Sequence, residues 1–170
     1  MKLKIFFLAF LFTCYLGSEV RAQTVDGIYY DWTVFEIDEP GKAKKCYIAS
    51  FPKKQIGNHN KLREPYVLVT RYEGRKLEEI SVYCGYEYKL NSKIYISIDG
   101  KQFRLFTKQI IAWAETSKDD KTIIQNLLKS KILKVRGESA MGSYSVDEYS
   151  LRGFTRAYKR MKDLCKSSEE

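Results

Sequence analysis

The stretch from Lys93 to Thr107 reads KIYISIDGKQFRLFT and gives the clearest structural signal in the chain. Apolar and polar residues largely alternate on both sides of Asp99-Gly100. Alternation with a period of two is typical of a strand that buries one face. Asp-Gly between two such runs favours a type I′ turn, because both of its central residues need a positive φ. The stretch therefore predicts a hairpin of two antiparallel strands, Lys93 to Asp99 and Gln102 to Thr107.

The same alternation recurs on both sides of this hairpin, in short runs separated by polar turn signals. The 13 tyrosines also favour strands, since aromatic side chains fit a pleated, half-buried surface. Short strands at regular spacing are typical of a sandwich. We therefore predict a mainly β fold, an antiparallel β-sandwich of about eight or nine strands. The further predicted strands are 28–37, 45–51, 66–72, 77–84, 131–136 and 145–151.

Two short helices are predicted near the C-terminus. The first begins at Ser117, which stands before two acids in the pattern of a capping box. The second covers roughly Leu151 to Cys165, where apolar residues recur at steps of three and four. Four basic residues fall outside this apolar stripe and predict an exposed basic surface on the second helix. They are Arg152, Arg156, Lys159 and Lys162.

Residues 1–22 have the layout of a cleaved secretory signal peptide. Two lysines precede an apolar run from Ile5 to Leu16, and Val20 and Ala22 match the pattern of a cleavage site after Ala22. The run is shorter than the ~20 apolar residues of a membrane-spanning helix. We therefore expect a mature protein of residues 23–170, a single β-sandwich domain, in the periplasm or secreted and without a transmembrane span. An uncleaved anchor and a lipoprotein modified at Cys14 are the alternatives.

The mature chain would keep three cysteines, Cys46, Cys84 and Cys165, in a compartment where disulfides persist. Three thiols allow three pairings, and three reduced, buried cysteines are the alternative. Cys46 opens an early strand and Cys165 ends the last helix, whereas Cys84 lies in a strand where it can act as a small apolar residue. We therefore predict a bridge between Cys46 and Cys165 that ties the last helix to the sheet, with Cys84 free.

The chain lacks the residue patterns of common catalytic and cofactor sites. It has no GxSxG motif and no glycine-rich phosphate loop, and its only histidine, His59, lies in a polar stretch that favours a solvent-exposed loop. Adjacent acids such as Glu78-Glu79 and Asp147-Glu148 point to opposite faces of a strand, which is poor geometry for a shared substrate. For Trp32 and Trp113, core packing is favoured over sugar stacking. The sequence therefore predicts no catalytic residue, no cofactor and no metal site.

The excess of basic residues indicates which classes of partner the protein can bind. Lys and Arg number 30 against 21 Asp and Glu, which gives a formal net charge of +9. Nucleic acid is not an expected partner, because the chain is exported and has no nucleic-acid-binding module. The charge favours attraction to an anionic envelope or host-cell surface. The alternative is that the basic excess only serves solubility.

Six short motifs stand in order along the chain: Asp31-Trp32-Thr33-Val34, 45–50, 65–70, 98–106, Ala112-Trp113-Ala114 and 149–158, the last containing the run SLRGFTRA. Together they resemble the invasion-associated locus B family of alphaproteobacterial exported proteins. The resemblance covers nearly all of the mature chain, which looks like a shorter branch without the cysteine-rich central segment of longer members. It implies a β-sandwich domain, a role in virulence through invasion of host cells, notably erythrocytes, and no catalytic residues or cofactor.

Three functional hypotheses follow. The first is an exported, non-catalytic envelope or secreted protein that supports host-cell attachment or invasion through a binding surface. The alternative is a structural or housekeeping periplasmic protein with no host role. An envelope-sugar hydrolase is a distant third, and it would need a cleft in which acids converge.

Overall fold

The computed structural model describes residues 22–58 and 62–166. The predicted signal peptide, apart from Ala22, lies outside the described residues, and so does His59. The described chain forms strands and two helices, which we number in chain order. The elements are β1 (Ala22–Tyr29), β2 (Trp32–Asp38), β3 (Lys45–Ser50), β4 (Lys54–Gly57), β5 (Tyr66–Tyr72), β6 (Glu78–Tyr83), β7 (Lys93–Ile98), β8 (Lys101–Lys108), β9 (Ile111–Ala114), α1 (Ser117–Leu127), β10 (Ile132–Glu138), β11 (Tyr144–Ser150) and α2 (Phe154–Leu164).

All eleven strands belong to one antiparallel sheet in the order β1-β2-β3-β5-β6-β9-β8-β7-β10-β11-β4. The predicted hairpin lies inside it, with β7 and β8 paired from Lys93 and Phe106 to Ile98 and Lys101. Asp99 and Gly100 have φ angles of 47° and 82°, as a type I′ turn requires. The predicted mainly β, antiparallel class is confirmed.

The prediction of about eight or nine strands was slightly low, because three strands have weak sequence signals. The predicted strand 28–37 is interrupted at Tyr30, whose φ is 57°, and the chain turns there to form the β1–β2 hairpin. A non-glycine residue in the left-handed region gives no turn signal. The edge strand β4 is exposed throughout and lies in a polar stretch predicted as a loop, and β9 has only four residues.

One hydrophobic core joins the two halves of this sheet. Trp32 and Val34 of β2 belong to the same buried cluster as Leu133 of β10 and Tyr149 of β11. The Trp32 indole N–H donates to the Ser150 carbonyl at 3.0 Å, although β2 and β11 lie far apart in the strand order. The sheet therefore curves back on itself, so that its alternating inward side chains meet across a shared interior, as in a sandwich.

Helix α1 begins at Ser117, as predicted, but its capping residue differs, and α2 begins later than predicted. The cap of α1 is Thr116 and not Ser117, since Thr116 Oγ1 accepts the Asp119 N–H at 3.2 Å. Helix α2 begins at Phe154 and not at Leu151, because Gly153 has a φ of 94°. A Cβ atom at Gly153 would also collide with the Tyr29 carbonyl oxygen. Within the described residues no helix is long and apolar enough to cross a membrane.

The predicted disulfide is present. Cys46 in β3 is bonded to Cys165 at the end of α2, with their Cα atoms 5.9 Å apart. Phe154 and Met161 of the same helix are fully buried, and the Phe154 ring meets the Trp32 ring edge-on at 4.9 Å. Cys84 is buried and free. The bridge thus fixes one end of a helix whose other end is held by core packing.

Candidate functional site

The first candidate site is the basic face of α2, which we define by Arg152, Arg156, Lys159 and Lys162. Arg152 was predicted to lie in the helix, but the structure places it two residues before the helix begins. Arg152, Arg156 and Lys159 are exposed, and Lys162 is half-buried. The guanidinium carbons of Arg152 and Arg156 lie 4.1 and 6.0 Å from the centre of the Tyr30 ring. This ring is itself 55% exposed. The fold therefore gathers two cations around an accessible tyrosine.

The β1–β2 turn positions this arrangement. Tyr30 precedes Asp31, whose backbone N–H donates to the Arg152 carbonyl at 3.3 Å. The close approach of Gly153 to Tyr29 holds the same two segments together. Sequence analysis predicted the arginines from helical spacing, but it did not predict that Tyr30 would lie beneath them.

The cations of this region differ in how they are neutralised. Arg160, which was not among the predicted residues, donates to both carboxylate oxygens of Asp26 at 2.6 and 2.8 Å. The hydrogen bond from Arg160 holds the pKa of Asp26 below its usual range. Neither Arg152 nor Arg156 forms an ion pair with any described residue. The charges available to an outside partner therefore include Arg152 and Arg156 together with the exposed Lys159.

A second candidate site is a groove of about 520 Å³ between β6, β8, β9 and the start of α1. The Trp113 and Phe106 rings are stacked on one side of it, 5.8 Å apart with an interplanar angle of 28°. Trp32 is a core residue as predicted, but Trp113 is only half-buried. We call this site the Trp113 groove. It is lined by Leu77, Glu78, Glu79, Phe106, Lys108, Trp113, Glu115 and Asp120, among others.

Asp120 is the unusual member of the Trp113 groove. It lies in the first turn of α1, only 7% exposed, and its Oδ1 accepts the Ile80 N–H at 2.8 Å. Burial, together with the nearby acids, raises the pKa of this carboxyl to about 6, although the hydrogen bond from the Ile80 N–H lowers it. Within the described residues no cation pairs with it. A buried carboxylate without a counter-ion destabilises a fold.

We expect Asp120→Asn to raise the free energy of unfolding at pH 7.5 by about 1–2 kcal/mol. This is less than the full pKa shift would give, because water in the groove screens the charge. The folded-state pKa of about 6 lies above the ordinary value of 3.8, so the folded protein binds more protons between these two values. Wild-type stability should therefore fall as pH rises through this window, and the advantage of the variant should appear there. Chemical denaturation at pH 4 and pH 7.5 measures both quantities.

Asp119→Asn is the matched control, because it removes the neighbouring carboxylate from the same helical turn. Asp119 accepts from Thr116 at the helix start, where a negative charge is favourable, so its removal should leave stability unchanged or lower it. An equal gain from both variants, or a gain from Asp120→Asn that does not change with pH, would contradict the assignment.

The adjacent acids Asp147 and Glu148 lie on opposite faces of β11, as predicted, whereas Glu78 and Glu79 both line the Trp113 groove. Glu78 turns inward to pair with Arg71 at 2.6 Å, whereas Glu79 is exposed. Asp147 is fully buried, and Glu148 forms a surface pair with Lys134 at 3.3 Å. No group of three or more His, Cys, Asp or Glu residues is placed to hold a metal in the described part of the chain.

The buried partner of Asp147 is Arg63, and sequence analysis did not identify it. Arg63 donates to both Asp147 oxygens at 2.7 and 2.9 Å and to the Cys84 carbonyl at 2.6 Å. Burial also raises the pKa of the Cys84 thiol to about 11, so this cysteine is a thiol and not a nucleophile at neutral pH. The Arg63 and Asp147 charges are therefore paired with each other inside the protein.

Comparison with known proteins tests the family resemblance seen in the sequence. A family model described as Invasion associated locus B (IalB) protein matches residues 32–162. The chain belongs to the invasion associated locus B family. The match runs from the first residue of β2 to the last turn of α2, so it includes the Trp113 groove and all four residues of the basic face. No curated protein and no solved structure matched the chain.

Membership of the invasion associated locus B family is consistent with an exported, non-catalytic protein. The family is not known as one of enzymes. The disulfide between Cys46 and Cys165 also fits a protein that folds outside the reducing cytoplasm.

Proposed function

We propose that this protein is exported by cleavage after Ala22 and that its mature domain, residues 23–170, binds anionic surfaces through the basic face of α2. The periplasm or the cell exterior is its proposed location. The observation that carries the proposal is the pair Arg152 and Arg156, which are exposed, lie over Tyr30 and lack carboxylate partners within the described residues.

The chemistry of these side chains supports an anionic ligand. A guanidinium group presents its N–H donors in a planar fork that matches carboxylate and phosphate oxygens. Tyr30 lies under both guanidinium groups and restricts their positions, which reduces the entropy lost on binding. The mature chain keeps a formal net charge of +7 of the original +9, because three basic residues and one acidic residue leave with the signal peptide, and this charge adds a long-range attraction to any anionic surface.

Binding to anionic vesicles tests this proposal. We expect the double variant Arg152→Gln and Arg156→Gln to bind about 30-fold more weakly at low salt, since each cation near an anionic membrane contributes about 1 kcal/mol. Glutamine keeps the helix-forming tendency and removes only the charge. Added salt should reduce wild-type binding toward the level of the variant, and neutral vesicles should retain neither protein.

The matched control replaces Lys118 and Lys121 by Gln. Both lysines are exposed in α1, so the net charge changes equally, but they lie on another helix. This control should keep binding within about twofold of wild type, because the basic face is intact. Equal losses in both double variants would show that binding depends on net charge and not on the basic face of α2. Unchanged binding in the α2 variant would show that Arg152 and Arg156 do not form the binding site, and it would favour the structural or housekeeping role.

We further propose that the anionic surface is that of a host cell and that the protein supports attachment or invasion. A strain that lacks the protein, complemented with wild type or the α2 double variant, separates the roles. Host-cell entry should be restored by wild type alone, with growth in the absence of host cells equal in all strains. A growth defect without host cells would favour the housekeeping alternative.

A further inference from the structure

The Trp113 groove combines an aromatic surface with unneutralised acids. Phe106 is 43% exposed and stacks on the half-buried Trp113, so the ring pair offers an accessible face. Leu77 on another part of the lining is 56% exposed. An indole face carries partial negative charge and attracts cations.

The charges along the groove are unbalanced. Of the four carboxylates that line it, Glu78 is paired with Arg71 and Glu115 with Arg104. Glu79 and Asp120 have no cation partner among the described residues, and Lys108 is the single basic residue in the lining. A protein with an excess of basic residues therefore has a locally acidic groove.

Asp120 indicates what the groove lacks. It is more than nine-tenths buried, and only its Oδ1 is hydrogen-bonded, to the Ile80 N–H. Its Oδ2 accepts no hydrogen bond from a described residue and is not one of the fully buried unpaired atoms, so it is open to a ligand in the groove. A primary ammonium group in the groove would donate to this oxygen and be attracted to the aromatic rings, whereas an anion would be repelled and an apolar ligand would leave the oxygen unpaired.

We propose that the Trp113 groove binds an organic ammonium group, at a site separate from the basic face of α2. The source is the primary amine of a lysine side chain on a partner protein, because only an N–H group can donate to Asp120 Oδ2. This side chain places positive charge at the end of a hydrocarbon stem, which matches an acidic groove with aromatic walls.

Tryptophan fluorescence reports on binding. Choline, n-butylammonium and 3,3-dimethylbutan-1-ol, a neutral isostere of choline, are titrated at constant ionic strength. We expect a saturable change with n-butylammonium, weaker binding of choline and no change with the neutral alcohol. The change should be absent in Trp113→Phe, because Trp32 is fully buried and bonded to Ser150. Tighter binding of choline than of n-butylammonium would contradict the lysine side chain as the ligand and indicate a quaternary headgroup.

The variants distinguish a site from general charge. Asp120→Asn should weaken cation binding at least ~5-fold, whereas Asp119→Asn, which removes the same charge outside the groove lining, should stay within about twofold. Because Asp120→Asn is expected to be more stable than wild type at pH 7.5, loss of binding would not reflect unfolding. The double variant of Arg152 and Arg156 should bind the cations as wild type does.

Three results would overturn the inference. They are equal binding of the neutral alcohol, equal losses in the two aspartate variants, and no saturable binding of either cation. None of them depends on whether α2 binds anionic surfaces, so the two proposals fail or succeed separately.

Discussion

Replacing both Cys46 and Cys165 by Ala should lower the free energy of unfolding by about 4–5 kcal/mol. The bridge joins residues 119 positions apart, so it removes much of the freedom of the unfolded chain. Alanine is the suitable replacement because both sulfurs are fully buried, and a serine hydroxyl would add its own burial penalty. Chemical denaturation of wild type with and without a reductant should give the same difference as the double variant.

Cys84→Ala provides the control for this prediction. Cys84 is buried but unpaired, so its removal should cost only about 1 kcal/mol and leave the effect of the reductant unchanged. A loss below about 2 kcal/mol in the double variant would contradict the prediction. It would mean that α2 is held chiefly by its buried face and by Arg71, whose Nε donates to the Cys165 carbonyl at 2.7 Å.

The features that sequence predicted well are local or covalent. The Asp99-Gly100 turn could be read from two adjacent residues, because their positive φ angles are a property of the turn itself. The apolar stripe of α2 could be read from spacing, since Phe154 and Met161 face the same core. The pairing of Cys46 with Cys165 needed only the assumption that the last helix docks on the sheet.

The features that sequence missed depend on contacts between distant residues. Tyr30 lies under Arg152 because Gly153 approaches the β1–β2 turn, and nothing near Tyr30 in the sequence signals that approach. Arg160 is neutralised by Asp26, which lies 134 positions away. The Trp113 groove likewise forms only where three strands meet the start of a helix. The strand-like pattern around Trp113 therefore predicted only that this residue belongs to the core.

Sequence also could not predict the buried ion pair between Arg63 and Asp147. Arg63 stands in a polar stretch that favours a solvated loop, yet its side chain is 5% exposed and that of Asp147 is 0% exposed. Gly85, with a φ of 82°, permits this because a Cβ there would lie 2.7 Å from the Arg63 Cβ. An arginine in a loop thus becomes a buried connection between the chain after β4, the end of β6 and β11.

Replacing Asp147 by Ala should lower the free energy of unfolding by about 3–5 kcal/mol, because it leaves the Arg63 guanidinium buried with no anion. Glu148→Ala is the matched control on the same strand. Glu148 pairs with Lys134 at the surface, with side chains 31% and 54% exposed, so its removal should change stability by less than about 1 kcal/mol. Denaturation of both variants measures the difference.

A further variant separates the cost of an unpaired charge from the contribution of the pair itself. Changing Arg63 to Met and Asp147 to Leu together removes both charges and keeps apolar volume, so it should be less destabilising than Asp147→Ala alone. If the double variant is the less stable of the two, the ion pair and its bond to the Cys84 carbonyl contribute net stability. Equal effects of Asp147→Ala and Glu148→Ala would instead show that Arg63 reaches water once its partner is gone, and that this side of the sheet opens easily.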